Sequence, residues 1–233
     1  MPDQTAQGIA EPGVQAAAGG VRQVRKQRTR QALLDAALRL LERQSLSSVG
    51  LREVTREVNI APAAFYRHFA GMADLGVALV EESFGSLQAM VREIRAQGAD
   101  TEEVIRRSVD LIARHVHEHR AHFRFLARER HGGVAAVRAA IAAGLEGFVR
   151  DLLEDLAAQP ESAGWSREDL RILAELYVHH VMLTATAILE AGSQDEADDG
   201  APSDPEAEQA ILAAARSQLK LISIGRRHWL AER

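Results

Sequence analysis

Residues 51–69, LREVTREVNIAPAAFYRHF, hold two amphipathic segments that are each too short to be a stable helix alone. Isolated helices below roughly 12–15 residues are marginal in water. These two must therefore pack on each other and on a third element. Leu51, Val54 and Val58 fall at i, i+3 and i+7 on the first segment. A turn over Asn59–Ala61 follows, and Pro62 suits the first position of the next helix, where its missing N–H leaves nothing unpaired. On that second segment, which runs to about His68, Phe65 and Phe69 stand at i and i+4 and share an inward face. The third element is the helix expected over 29–44, with Leu33, Ala36, Ala37, Leu40 and Leu41 at helical spacing. Two short helices about a tight turn, braced by a third, make a helix-turn-helix.

The rest of the chain continues the helical pattern. Helices are expected over about 72–97, 101–119, 121–130, 134–158, 166–192 and 205–231, with no alternating β pattern and no internal repeat. The fold class is all-α: a helix-turn-helix domain over 23–84 and a helical bundle over 85–233, preceded by a disordered tail over 1–22. The acidic stretch GSQDEADDGAPSDPE reads as a mobile linker.

Charge is divided between these parts. Net charge is −5, yet residues 21–70 carry ten Lys/Arg against four acids, a local +6 that leaves −11 elsewhere. A basic N-terminal segment on an acidic body is the footprint of an anion-binding module with a separate regulatory or assembly part. The chain has no cysteine, which excludes disulfides and thiolate metal sites and is compatible with the cytoplasm, the expected location. The first twenty residues lack the basic and apolar regions of a signal peptide, and no uninterrupted apolar run approaches the roughly 18 residues of a membrane span.

The outward face of the second short helix suits a DNA major groove. Ala63 and Ala64 let the helix approach base edges and offer methyls to thymine, and Arg67 can donate two hydrogen bonds to guanine. Tyr66 and His68 can donate to phosphate, as can Arg52. The arm VRQVRKQRTRQ brings Arg25, Arg28 and Arg30 to the backbone or the minor groove.

The run from Arg28 to Phe84, with its FYRHF and the long helix that follows, resembles the DNA-binding domain of the TetR family of bacterial transcriptional regulators. RTRQALLDAALRL, GLREVTREV, APAAFYRHF with MADLG, and FRFLARERHGG resemble the FabR/DesT type of fatty-acid regulators more narrowly. Two departures from the family pattern stand out. Ala61 replaces the Ser or Thr that caps the recognition helix, a loss of about 1 kcal/mol. Met72 replaces a phosphate-contacting lysine, as in the FabR/DesT type.

The resemblance implies a homodimer on a palindromic double-stranded operator, no membrane partner, no cofactor, no catalytic residue, and a small apolar effector held in the second domain. In the FabR/DesT type that effector is a long-chain acyl-CoA and the targets are fatty-acid unsaturation or lipid genes. Dimerisation is expected through the last two helices, with stripes Leu170, Leu173, Leu176, Tyr177, Val181, Ile188 and Ile211, Ala215, Leu219, Ile222. Candidate effector contacts are Phe123, Tyr177, His180 and Thr184, with Arg124 and Arg128, or Arg106 and Arg107, for CoA phosphates. A drug or aromatic effector is the alternative within the family. A helical-bundle metal-dependent enzyme is the alternative outside it, resting on His115, His119 and His122 at i, i+4 and i+7. No carboxylate stands at a recognised motif distance from them, and the expected reading is solvated or helix-end histidines with no metal site.

Overall fold

The computed structural model describes residues 12–95, 101–194 and 205–229. Among the described residues every regular element is helical. α1 (Pro12–Leu41), α2 (Leu51–Glu57), α3 (Pro62–Phe65) and α4 (Met72–Arg95) come first. α5 (Thr101–Glu118), α6 (Arg120–Glu129), α7 (Ala135–Ala157), α8 (Arg167–Gln194) and α9 (Pro205–His228) follow. A single 3₁₀ turn at Pro160–Ser162 joins α7 to α8. The acidic linker expected over 192–206 falls mostly on residues 195–204, outside the described residues, as do residues 1–11 of the expected tail.

The expected disordered tail ends earlier than the sequence pattern implied, because α1 already begins at Pro12. Propagating an existing helix adds one hydrogen bond per residue fixed, without a new nucleation step. The well-anchored stretch around Leu33–Leu41 can therefore extend backwards through Ala16–Ala18, with Pro12 at its first position. From Arg22 to Arg28 this extension is exposed on all sides.

The small N-terminal core forms as the pattern requires. Leu33, Ala36, Ala37, Val54 and Phe65 are fully buried, and Phe69 is 2% exposed. The α2–α3 turn is built on Asn59 in the left-handed region (φ 53°). The Ile60 N–H donates to Thr55 O at 3.0 Å and the Asn59 N–H to Arg56 O at 3.0 Å, the paired bonds of a Schellman ending. Asparagine tolerates this conformation better than other side-chain-bearing residues. α3 is shorter than expected. After Phe65 the chain tightens, with Arg67 N–H to Ala64 O and His68 N–H to Phe65 O closing three-residue turns. α3 has no side-chain cap at Ala61, as its residue type dictates.

α4 joins the two halves. It packs on α1 and also on α5, α6 and α7. A second, smaller core lies between α7 and α8, around Leu153, Leu156, Leu170 and Leu173. Gly144 on α7 sits so close to Phe84 on α4 that a Cβ there would overlap the ring. The apolar stripe of α9 turns inward: Ala215 and Leu219 are buried, and Ile211 and Ile222 are half-buried against the bundle. Most of the residues expected to form an interface stripe are thus intramolecular core. What α8 and α9 leave exposed is an apolar set that shares only Leu176 with the expected stripes: Ile172, Leu176 and Leu183 on α8 with Leu221 and Ile224 on α9.

Candidate functional site

The basic face is assembled from α1 and the α2–α3 unit. Ala63, Tyr66 and Arg67 are exposed and Ala64 is half-buried. Tyr66 is 63% exposed although its ring meets Phe65 edge-on, with centroids 5.8 Å apart. The aromatic trio therefore divides: Phe65 and Phe69 hold the helix to the core, and Tyr66 is presented outward. Arg25, Arg28 and Arg52 are exposed, and Arg30 is half-buried. Its guanidinium carbon lies 4.8 Å from the centre of the Phe69 ring, a cation–π contact that fixes a charge beside α3.

His68 reports the resulting field. Its burial, and then the charges of Lys26, Arg30 and Arg67, hold its imidazole pKa below the ordinary value. These three cations from two separate elements therefore converge on one patch. Lys26 was not singled out among the expected contacts. Its membership follows from the register of α1, which no local motif reveals. The Nδ1 of His68 is buried without a hydrogen-bond partner in the protein.

The second site is a cavity of about 110 Å³. Phe84 and Leu87 of α4, Phe123 of α6, Leu145, Phe148 and Leu152 of α7, and Tyr177, Val178, Val181 and Met182 of α8 line it. Phe84 and Phe148 meet at 5.6 Å with planes tilted by 48°. The Tyr177 hydroxyl is the one polar side-chain group in this lining. Burial pushes its phenol above the ordinary pKa, with Arg226 acting in the opposite sense, so it remains a neutral donor. Of the expected effector residues, Phe123 and Tyr177 line this space.

The others are placed elsewhere. Arg128 reaches away from the cavity and donates to the carbonyls of Leu41 and Gln44 at 2.8 Å and of Glu42 at 3.2 Å. A cation suits the unpaired carbonyls that end α1. Beside it the buried carboxylate of Glu129 accepts the Leu46 N–H at 2.8 Å. His180 is buried against α9, hydrogen-bonded to the Ala215 backbone, and Thr184 is buried but outside the lining. Arg124 is half-buried and outside the lining, while Arg106 pairs with Glu103 and Asp110 on the surface of α5. Phe84 and Phe148 are among the cavity residues that sequence reasoning missed. They lie 64 positions apart and meet only because α4 and α7 pack together.

Family comparison agrees with both halves. Residues 33–79 match the family model described as bacterial regulatory proteins, tetR family, and residues 101–219 match the tetracyclin repressor-like C-terminal domain. Among solved structures, the fatty acid degradation regulator FadR from Bacillus halodurans superposes with a TM-score of 0.60 at 17% identity, covering 82% of this chain and 93% of that one. FadR from Bacillus subtilis, solved in complex with stearoyl-CoA, gives 0.60 at 16% identity, with 82% and 96% covered. The regulatory protein TetR from Rhodobacter sphaeroides gives 0.56 at 22% identity, with 80% and 96% covered.

Proposed function

The chain belongs to the TetR family of bacterial transcriptional regulators, and on that footing we propose that it is a homodimeric repressor whose hold on a palindromic operator is set by a small apolar effector. The observation that carries this is the shared wall of the cavity. Phe84 and Leu87 belong to α4, which also packs on α1, and Phe123 belongs to α6, whose far end grips the end of α1 through Arg128 and the loop after it through Glu129. A ligand that enlarges the cavity bears directly on side chains of both of these helices. It then has different affinities for the DNA-binding and released arrangements, which is the thermodynamic requirement for control.

The effector we favour is a long-chain acyl-CoA, with fatty-acid unsaturation or lipid genes as targets. The almost wholly apolar lining supports an acyl chain, each buried CH₂ contributing about 0.8 kcal/mol. So does the likeness to a FadR that carries stearoyl-CoA. The present volume is well below the about 300–1,000 Å³ of drug-sized pockets, so a long chain enters only if the cavity widens. One observation favours a second reading. Four aromatic rings around so small a space suit a compact aromatic effector without rearrangement.

The partners are then double-stranded DNA and a second copy of the chain. The working compartment is the cytoplasm, and the protein is no enzyme. The test is fluorescence anisotropy with DNA from upstream of the protein's own gene, against scrambled DNA. Titrations are run without ligand and with saturated acyl-CoA, unsaturated acyl-CoA or a small aromatic. The expected result is preference for the upstream DNA and unequal shifts by the two acyl-CoAs. A shift by the aromatic alone selects the second reading, and equal binding to scrambled DNA overturns both.

A further inference from the structure

The joint between α5 and α6 gathers a set of donors that DNA binding and effector capture leave unused. His115 and Glu118 stand on the last turn of α5, and His119 is the single residue between the two helices, with φ −124° and ψ 33°. One ligand atom from each of the three lies within 4.8 Å of the others. Zn–N bonds of about 2.0–2.1 Å place tetrahedral ligand atoms about 3.3 Å apart, so modest side-chain rotation closes the set. The His115 and His119 rings are 4.4 Å apart, and the edge of Phe123 meets His115 at 5.8 Å.

A pair of histidines one helical turn apart is most often a solvated pair. Here His115 is only 9% exposed and its Nε2 has no hydrogen-bond partner. An unsatisfied buried polar group is destabilising, and a coordinate bond would relieve that. Glu118 is exposed and gives an ion a path in from solvent.

We propose that His115, Glu118 and His119 bind one divalent transition-metal ion of the zinc type, which clamps the α5–α6 joint. Two imidazoles and a carboxylate suit zinc better than the all-oxygen cations magnesium and calcium, and the chain has no cysteine for softer ions. The ion ties α5 to the start of the helix that carries both Phe123 in the cavity wall and Arg128 on α1. Metal occupancy is then a second input to the same transmission path, with no catalytic step.

The test uses the full chain, tag-free and stripped of metal by chelation. Co²⁺ is titrated while visible absorption is followed, and Zn²⁺ affinity is measured by competition with a chromophoric chelator. The expected result is one ion per protomer, with His119→Ala and Glu118→Gln each weakening Zn²⁺ by about tenfold or more. His117→Ala serves as the control, because His117 faces α9 and pairs with Glu208 at 2.9 Å. It should bind Zn²⁺ like the parent chain. Circular dichroism melts establish that each variant is folded. The proposal is overturned if Zn²⁺ binds the folded His119→Ala variant as tightly as the parent, or if His117→Ala loses as much. Neither readout involves DNA or acyl-CoA, so that failure would leave the regulator reading intact.

Discussion

Arg67 and Arg25 carry the same charge at different places, and that placement separates their roles. Arg67 is exposed at the end of the recognition helix, while Arg25 is exposed on the N-terminal extension of α1. Replacing Arg67 by Ala should remove about 1–3 kcal/mol of discrimination and relax sequence preference. Arg25→Ala should instead weaken operator and random DNA alike and reduce the salt slope by about 1. Anisotropy titrations on both DNAs across a salt series separate the two, and equal losses on both DNAs for both variants would refute the division of labour. His180 makes a second prediction at this scale. Burial holds its pKa below the ordinary value despite its bond to the Ala215 backbone. The unfolded chain therefore binds more protons than the folded one in the window from about 6.5 down to the depressed folded value. This histidine's contribution to stability is fully present above that window and is lost as pH falls through it. Thermal melts between neutral and mildly acidic pH should show His180→Gln losing less stability on acidification than the parent. An unchanged pH slope would show that His180 does not titrate in this way.

At the scale of elements, the informative contact is between α6 and the end of α1. Sequence reasoning offered Arg128, one turn from Arg124, as a candidate for the phosphates of the acyl-CoA that the family resemblance implied. Its three backbone acceptors come from residues 84 to 87 positions away, and no local pattern announces them. Arg128→Ala should cost on the order of 1 kcal/mol of stability, since the contact is largely solvent-facing. Its larger effect should fall on coupling. Effector affinity measured without DNA stays near the parent value, while the effector's influence on operator affinity shrinks. Full retention of that influence would remove Arg128 from the transmission path. The α2–α3 turn is an easier case. The residues Val58–Asn59–Ile60 and Pro62 make it legible, because a left-handed Asn and an N-terminal Pro have few other uses.

For the whole molecule, the apolar face of α8 and α9 is decisive. α8 is long and apolar enough by composition to cross a membrane over Arg167–Gly192. Its apolarity is divided between two faces, one packed in the bundle and one exposed. Leu170, Leu173, Ala185 and Ile188 serve the bundle, while Ile172, Leu176 and Leu183 stand outward within one arc of the helix. Leu183 is 71% exposed and Leu221 of α9 is 69% exposed, in a setting where a two-fold four-helix bundle would cover them. Leu183→Glu with Leu221→Glu should yield a folded monomer by sedimentation velocity. Its affinity for a full palindrome should fall about a hundredfold or more, because the two half-sites are no longer engaged together. A variant that remains dimeric would place the interface elsewhere.

The sequence by itself determined what depends on near neighbours. Helical periodicity, the Pro62 start, the inward pair Phe65 and Phe69, and the concentration of charge at 21–70 all act within a few turns of one helix. They were enough to define the helix-turn-helix, the all-α class and the basic face. The tertiary structure decided what depends on which face meets which. An apolar stripe states that a surface is buried, not against what, so Ala215 and Leu219 proved to be core and Leu221 and Ile224 the exposed set. The cavity between Phe84 and Phe148, the grip of Arg128 on α1, and the approach of Lys26 to His68 arise only when helices dock. Docking is chosen by the sum of many weak packing contacts across the bundle, which no single segment of the chain encodes.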